Sequence, residues 1–153
     1  MGLAMFYHLT RSGSDDVARS LIQRCLGQGW RVMVRGRDRA GLERLDGKLW
    51  LGPEEEFLAH GLQGGPQDGD QPVLIGTGPV GNGAQALMLV EGAEPLPGEM
   101  EALERAMILF DGNDEAALQG ARGQWVALTK AGHKAQYWSE ESGRWEKKRE
   151  TGE

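Results

Sequence analysis

The sequence predicts an α/β domain on a mostly parallel sheet. Three observations predict it. Short apolar runs alternate with segments of helical periodicity over the first fifty residues. The later runs Val73-Leu74-Ile75, Ala86-Leu87-Met88-Leu89-Val90 and Met107-Ile108-Leu109-Phe110 are continuous apolar stretches, as strands covered on both faces require. A chain of 153 residues is long enough to bury one core without staples.

The elements follow in order. Met5-Phe6-Tyr7-His8-Leu9 reads as a first strand, and Ser14-Asp15-Asp16 supplies a helix N-cap and an acidic first turn. Val17, Leu21, Ile22, Cys25 and Leu26 recur at helical spacing, so the helix runs to about Gly27, ended by Gly27 or Gly29. Arg31-Val32-Met33-Val34-Arg35 suits a buried strand. Leu42, Leu45 and Leu49 mark a second amphipathic helix. Gly52 to Gln71 is irregular and carries the insert Glu54-Glu55-Glu56-Phe57-Leu58-Ala59-His60. After the two apolar runs, Pro95, Pro97 and Gly98 break the chain, a short helix covers Met100 to Ala106, and Met107 begins another strand. Five or more strands are expected.

Asp111-Gly112-Asn113-Asp114-Glu115 provides a turn and an acidic helix start, and the helix should reach about Ala131, with Gly132 in the left-handed position. Its apolar seam is Leu118, Ala121, Trp125 and Leu128. Ala135-Gln136-Tyr137-Trp138 and Arg144-Trp145-Glu146-Lys147 then form a β-hairpin. The expected domain is residues 1–148, with 149–153 a frayed tail.

Composition narrows the function. Seventeen Lys and Arg against twenty-three Asp and Glu leave a net charge of −6, which argues against strong direct nucleic-acid binding. One cysteine, Cys25, rules out an internal disulfide and points to a reducing cytoplasm. The N-terminus lacks a signal-peptide pattern, and no run approaches the ~20 apolar residues of a membrane span. A soluble, unprocessed protein is expected. Twenty-four glycines show no period, which excludes collagen-like and repeat architectures.

Candidate chemistry is sparse. Gly76-Thr77-Gly78-Pro79-Val80-Gly81 matches G-x-G-x-x-G after a strand, so a nucleotide-dependent enzyme is one alternative. That fingerprint needs a helix beginning at its glycines, to hold the pyrophosphate. Pro79 interrupts it, and only Asn82 to Gln85 precede the next strand. His8, His60 and His133 lack metal-ligand spacing, and Cys25 sits on the apolar face of a helix. No catalytic residue, metal site or cofactor is expected.

The C-terminal third is different, because aromatic and basic residues concentrate there in an acidic protein. With Arg122 at zero and 100° per residue, Val126 lies at about 40°, Lys130 at about 80°, and His133 at about 20° if the turn continues. Trp125 lies about 60° to the other side, towards the core seam. The stripe reads as a small basic groove with an apolar floor, suited to an acidic peptide next to a large apolar side chain, with Lys134 adding charge. It also fits ordinary solvated charges beside a core tryptophan, or a groove for some other acidic ligand.

At these residues the chain resembles the chi subunit family of bacterial DNA polymerase III holoenzyme. The resemblance rests on Phe6-Tyr7-His8-Leu9, Leu49-Trp50, Phe57-Leu58-Ala59-His60, Asn82-Gly83-Ala84 before Leu87-Met88-Leu89-Val90, Ala121-Arg122, Gly132-His133, and Gly143-Arg144-Trp145-Glu146-Lys147-Lys148. It implies a three-layer α/β/α fold and an accessory subunit without catalysis of its own. Members connect the clamp-loader complex to single-stranded-DNA-binding protein by gripping that protein's acidic C-terminal tail, which ends in Phe. They also pair with a small psi subunit. For the tail site the resemblance implies Arg122 and Trp125; Val126 departs from a basic residue used by other members, with Lys130 and Lys134 compensating. For a psi-like partner it implies Trp50 and Phe57. Two charge-assisted contacts of ~1.5–3 kcal/mol each and a buried Phe of similar worth, less the cost of ordering the tail, lead to micromolar, salt-sensitive binding.

Overall fold

The computed structural model describes residues 3–10, 14–50, 60–65, 68–96, 98–140, 142 and 144–151. Eight strands form one sheet in the order β3-β4-β2-β5-β6-β1-β7-β8. Their ranges are β1 Leu3–Leu9, β2 Val32–Arg35, β3 His60–Leu62, β4 Val73–Gly76, β5 Ala86–Leu89, β6 Arg105–Asp111, β7 Ala135–Ser139 and β8 Glu146–Thr151. All pairings are parallel except β7 with β8. The helices are α1 Ser14–Gly27, α2 Arg39–Trp50, α3 Glu99–Ala102 and α4 Glu115–Lys130.

Side-chain alternation along the strands divides the core into two layers. Tyr7, Leu9, Val32, Val34, Met88 and Met107 point to one face, where Ile22 and Cys25 of α1 and Leu42 and Leu45 of α2 cover them. Phe6, Met33, Leu87, Ile108 and Phe110 point to the other, covered by Met100 of α3 and by Ala121, Trp125 and Leu128 of α4. The three-layer α/β/α arrangement and the C-terminal helix with its hairpin are therefore present as expected.

Local signals act where their physics is local. Asp114 caps α4, its carboxylate accepting from the Ala116 and Ala117 N–H groups. At the other end Gly132, at φ 91°, reverses the chain: the His133 N–H donates to Leu128 O at 3.1 Å and the Gly132 N–H to Thr129 O at 3.0 Å, a Schellman closure. Gly29, at φ 83°, takes the corresponding place after α1.

Three boundaries differ from expectation. The helix expected over Met100 to Ala106 is the single turn α3, because Arg105 and Ala106 extend β6 to pair with Leu3 and Ala4 of β1. The irregular stretch before Gln71 contributes the edge strand β3, held to α2 by His60 Nε2 at 3.1 Å from Asp46 O. Residues 149–151, expected to fray, form the end of β8: Tyr137 pairs with Arg149 and Ala135 with Thr151, across an irregularity after Tyr137. Residues 54–59 of the insert lie outside the described residues.

Candidate binding face on the last helix

Arg122, Val126 and Lys130 are exposed on one side of α4, as their spacing predicts. Val126 is 61 % exposed, unusual for a branched apolar side chain among cations. Neither Arg122 nor Lys130 has a carboxylate partner among the described residues, although the protein carries an excess of acids. Lys134 is exposed beyond the helix, near Glu150. The Glu150 carboxyl lies below its ordinary range through hydrogen bonds from Lys147 and Gln136, with a smaller electrostatic contribution from Lys134.

Trp125 occupies a more enclosed place than the edge of an open groove. Its ring is 9 % exposed and meets Phe6 edge-on at 5.4 Å and Tyr137 at 6.1 Å. The outer surface of the ring is roofed by Arg149, whose guanidinium carbon lies 5.5 Å from its centroid. Among the hairpin's described cations, Arg144, Lys147 and Lys148 each have a carboxylate within 4 Å; Arg149 has none. Arg149 is the residue sequence reasoning missed. Pairing with Tyr137 puts it on the α4 face, a placement visible only once strand register is known.

His133 does not join the stripe. Gly132 turns the chain inward, leaving His133 6 % exposed with Nε2 3.8 Å from Glu101 Oε1. Trp138 and Trp145 belong to the opposite face of the sheet, against the α1 layer, with Trp145 edge-on to Tyr7 at 5.7 Å. They are structural. Trp50 ends α2, and Phe57 lies outside the described residues.

The glycine-rich segment after β4 is a loop without a helix. Its interior is filled by Gln63, whose Nε2 donates to Pro79 O at 3.0 Å and whose Oε1 accepts from the Gly78 N–H at 2.9 Å. Arg35 Nε donates to Gly78 O at 3.0 Å. The Gly78 N–H, one of the donors that a pyrophosphate would need, is thus engaged within the protein. Gly76 is required for this arrangement, since a Cβ there would overlap the Gln63 side chain.

Two further titratable groups are structural. Tyr7 is pushed up to about 12, chiefly by burial. Burial also raises the Cys25 thiol, which keeps it protonated and unreactive.

The glycine loop of the parallel sheet is plugged by its own glutamine, and the last helix presents, around an exposed valine, cations with no carboxylate partner among the described residues. The chain belongs to the DNA polymerase III chi subunit family: the model of that family, DNA polymerase III chi subunit, HolC, matches residues 1–136. The family is a non-catalytic accessory subunit of the replicative polymerase. The match ends within β7, so β8 and Arg149 lie beyond it. None of the individually curated proteins matches the chain significantly.

Proposed function

We propose that this chain is a replisome adaptor that associates with the clamp loader in the cytoplasm and binds the acidic C-terminal tail of single-stranded-DNA-binding protein. The tail lies across α4 and β8. Arg122, Lys130 and Arg149 receive its carboxylates, Lys134 adds longer-range attraction, and Val126 with the rim of Trp125 meets its terminal Phe. The observation that carries this reading is the set of cations around Val126 that have no counter-ion among the described residues, in a protein of net charge −6. Charge-assisted hydrogen bonds and one buried aromatic, offset by the ordering of a flexible tail, support a micromolar, exchangeable link. The clamp-loader connection runs through a psi-like partner at Trp50 and Phe57.

The test is calorimetric titration of the full chain with a peptide copying the acidic tail of the cognate single-stranded-DNA-binding protein. Micromolar binding is expected, weakened at least about tenfold by Arg122→Ala or by removing the terminal Phe, as loss of a charge-assisted or buried aromatic contact requires. Absence of binding, or binding indifferent to both changes, rules the reading out.

A further inference from the structure

Arg149 stands exposed on β8, the last strand of the sheet, and its recorded contact is with the Trp125 ring. Successive side chains of a strand turn to opposite faces, so Glu150, next in sequence, points away from it. There Glu150 Oε1 accepts from Lys147 Nζ at 3.2 Å and Oε2 from Gln136 Nε2 at 2.6 Å. The remaining acid of the strand, Glu146, pairs with Lys148 at 3.4 Å and Arg144 at 3.8 Å. Arg149 therefore has no carboxylate partner among the described residues. A guanidinium carries five N–H donors, and a ring face satisfies them far less well than a carboxylate does.

The ring beneath is the outer member of an aromatic cluster. Trp125 packs inward on Phe6 at 5.4 Å and Tyr137 at 6.1 Å, and Tyr137 meets Phe110 at 6.0 Å. Arg149 closes the cluster on its solvent side. One residue along α4, Val126 is exposed. An exposed cation–π contact favours the closed arrangement by only about two- to fivefold. A charge-assisted hydrogen bond shifts an equilibrium by more than about tenfold, so an arriving carboxylate wins the guanidinium from the ring.

We infer that Arg149 is the lid of an aromatic subsite on Trp125: a carboxylate of the bound tail draws the guanidinium off the indole, and the aromatic side chain of the same tail takes its place. This rests on the tail-binding reading above and deepens it, because acid and aromatic group are then read together. An aromatic residue without acids meets a closed lid. Acids without an aromatic residue uncover an apolar surface that nothing fills. Arg149 is thus a specificity-determining residue, contributed by a strand beyond residues 1–136, where the family model matches.

The test uses isotope-labelled full-length protein and two peptides: the acidic-tail peptide, and a neutral form in which every carboxylate, the terminal one included, is replaced by a carboxamide. In the free protein the ring current of Trp125 displaces the Arg149 side-chain NMR resonances; saturation with the acidic peptide should return them to the values of an unstacked arginine. Calorimetry on the parent and on Arg149→Ala should then give effects of opposite sign. The acidic peptide binds the variant several-fold more weakly, whereas the neutral peptide binds it about two- to fivefold more tightly, because the cation–π contact it has to displace is gone. Acidic peptide bound with the Arg149 resonances still displaced overturns the lid and leaves the tail site standing. So does a neutral peptide that binds a folded variant no more tightly than the parent. An acidic peptide that does not bind the parent overturns both. The resonance measurement is made on the parent alone, so it decides the matter even where the variant folds poorly.

Discussion

The guanidinium of Arg149 on β8 lies over the Trp125 ring of α4, 5.5 Å from its centroid. This contact ties the edge strand to the helix that carries the proposed tail site. It also makes Arg149 both the cover of the tryptophan and a cation at its border with no carboxylate partner among the described residues. Arg149→Ala should therefore red-shift Trp125 emission, cost only about 0.5–1 kcal/mol of stability, and weaken the acidic-tail peptide several-fold. Fluorescence and calorimetry on the same samples check both parts; Arg149→Lys should keep most of the affinity.

Arg122 and Lys130 are exposed, so their attraction for an acidic tail is screened by salt. Raising ionic strength from about 0.1 M to about 1 M shortens the Debye length from ~10 Å to ~3 Å. Affinity should fall steadily over that range, and the Arg122→Ala/Lys130→Ala protein should lose most of the dependence. Calorimetry at four salt concentrations gives the slope for each protein.

Arg35 and Glu99 form a two-pronged ion pair, at 2.6 and 2.7 Å, that fastens α3 to the end of β2. Burial alone would raise the Glu99 carboxyl, but hydrogen bonds from Arg35 and from backbone N–H groups outweigh it, so the group lies below its usual range. A carboxyl with a lower pKa in the folded state contributes stability above its unfolded value, ~4.3. That stability is lost as pH falls through the folded value. Glu99→Gln should cost about 3–5 kcal/mol at neutral pH, since the Arg35 charge is left buried and uncompensated. Urea melts from pH 7 downward should show a shallower acid loss for the variant than for the parent.

Gly112 follows β6 at the turn into α4, where the His8 ring occupies the space a side chain would need. His8 itself is held by stacking on Phe110 at 5.3 Å and by a 2.9 Å hydrogen bond with Tyr137 Oη. Gly112→Ala must displace that ring. We expect a loss of about 1–3 kcal/mol, measured by thermal melting, while Gly123→Ala on the open side of α4 should be neutral or stabilising.

Much of the candidate site was legible because it lies on one helix. Arg122, Val126 and Lys130 share a face by the 3.6-residue period alone, and Asp114 and Gly132 announce the helix ends through capping chemistry. The same period placed Trp125 at the boundary between stripe and seam but left its exposure open. What decided that was Arg149, twenty-four residues later, arriving through the register of a hairpin. His133 would join the stripe only if the turn continued past Gly132; the left-handed glycine expected there reverses the chain, and His133 is buried instead.

Sequence by itself determined the alternation of strands and helices, the absence of room for a helix in the Gly76–Gly81 loop, and the cationic stripe of α4. These depend on residues within a turn or two of one another, where periodicity and backbone preference act directly. Only the tertiary structure decided the strand order, the plug of Gln63 in the glycine loop, the Arg35–Glu99 clamp across sixty-four positions and the roof of Arg149 over Trp125. Each of those joins groups whose proximity comes from burying two faces of one sheet, and a linear pattern of charge and hydropathy does not specify which distant segments share an edge.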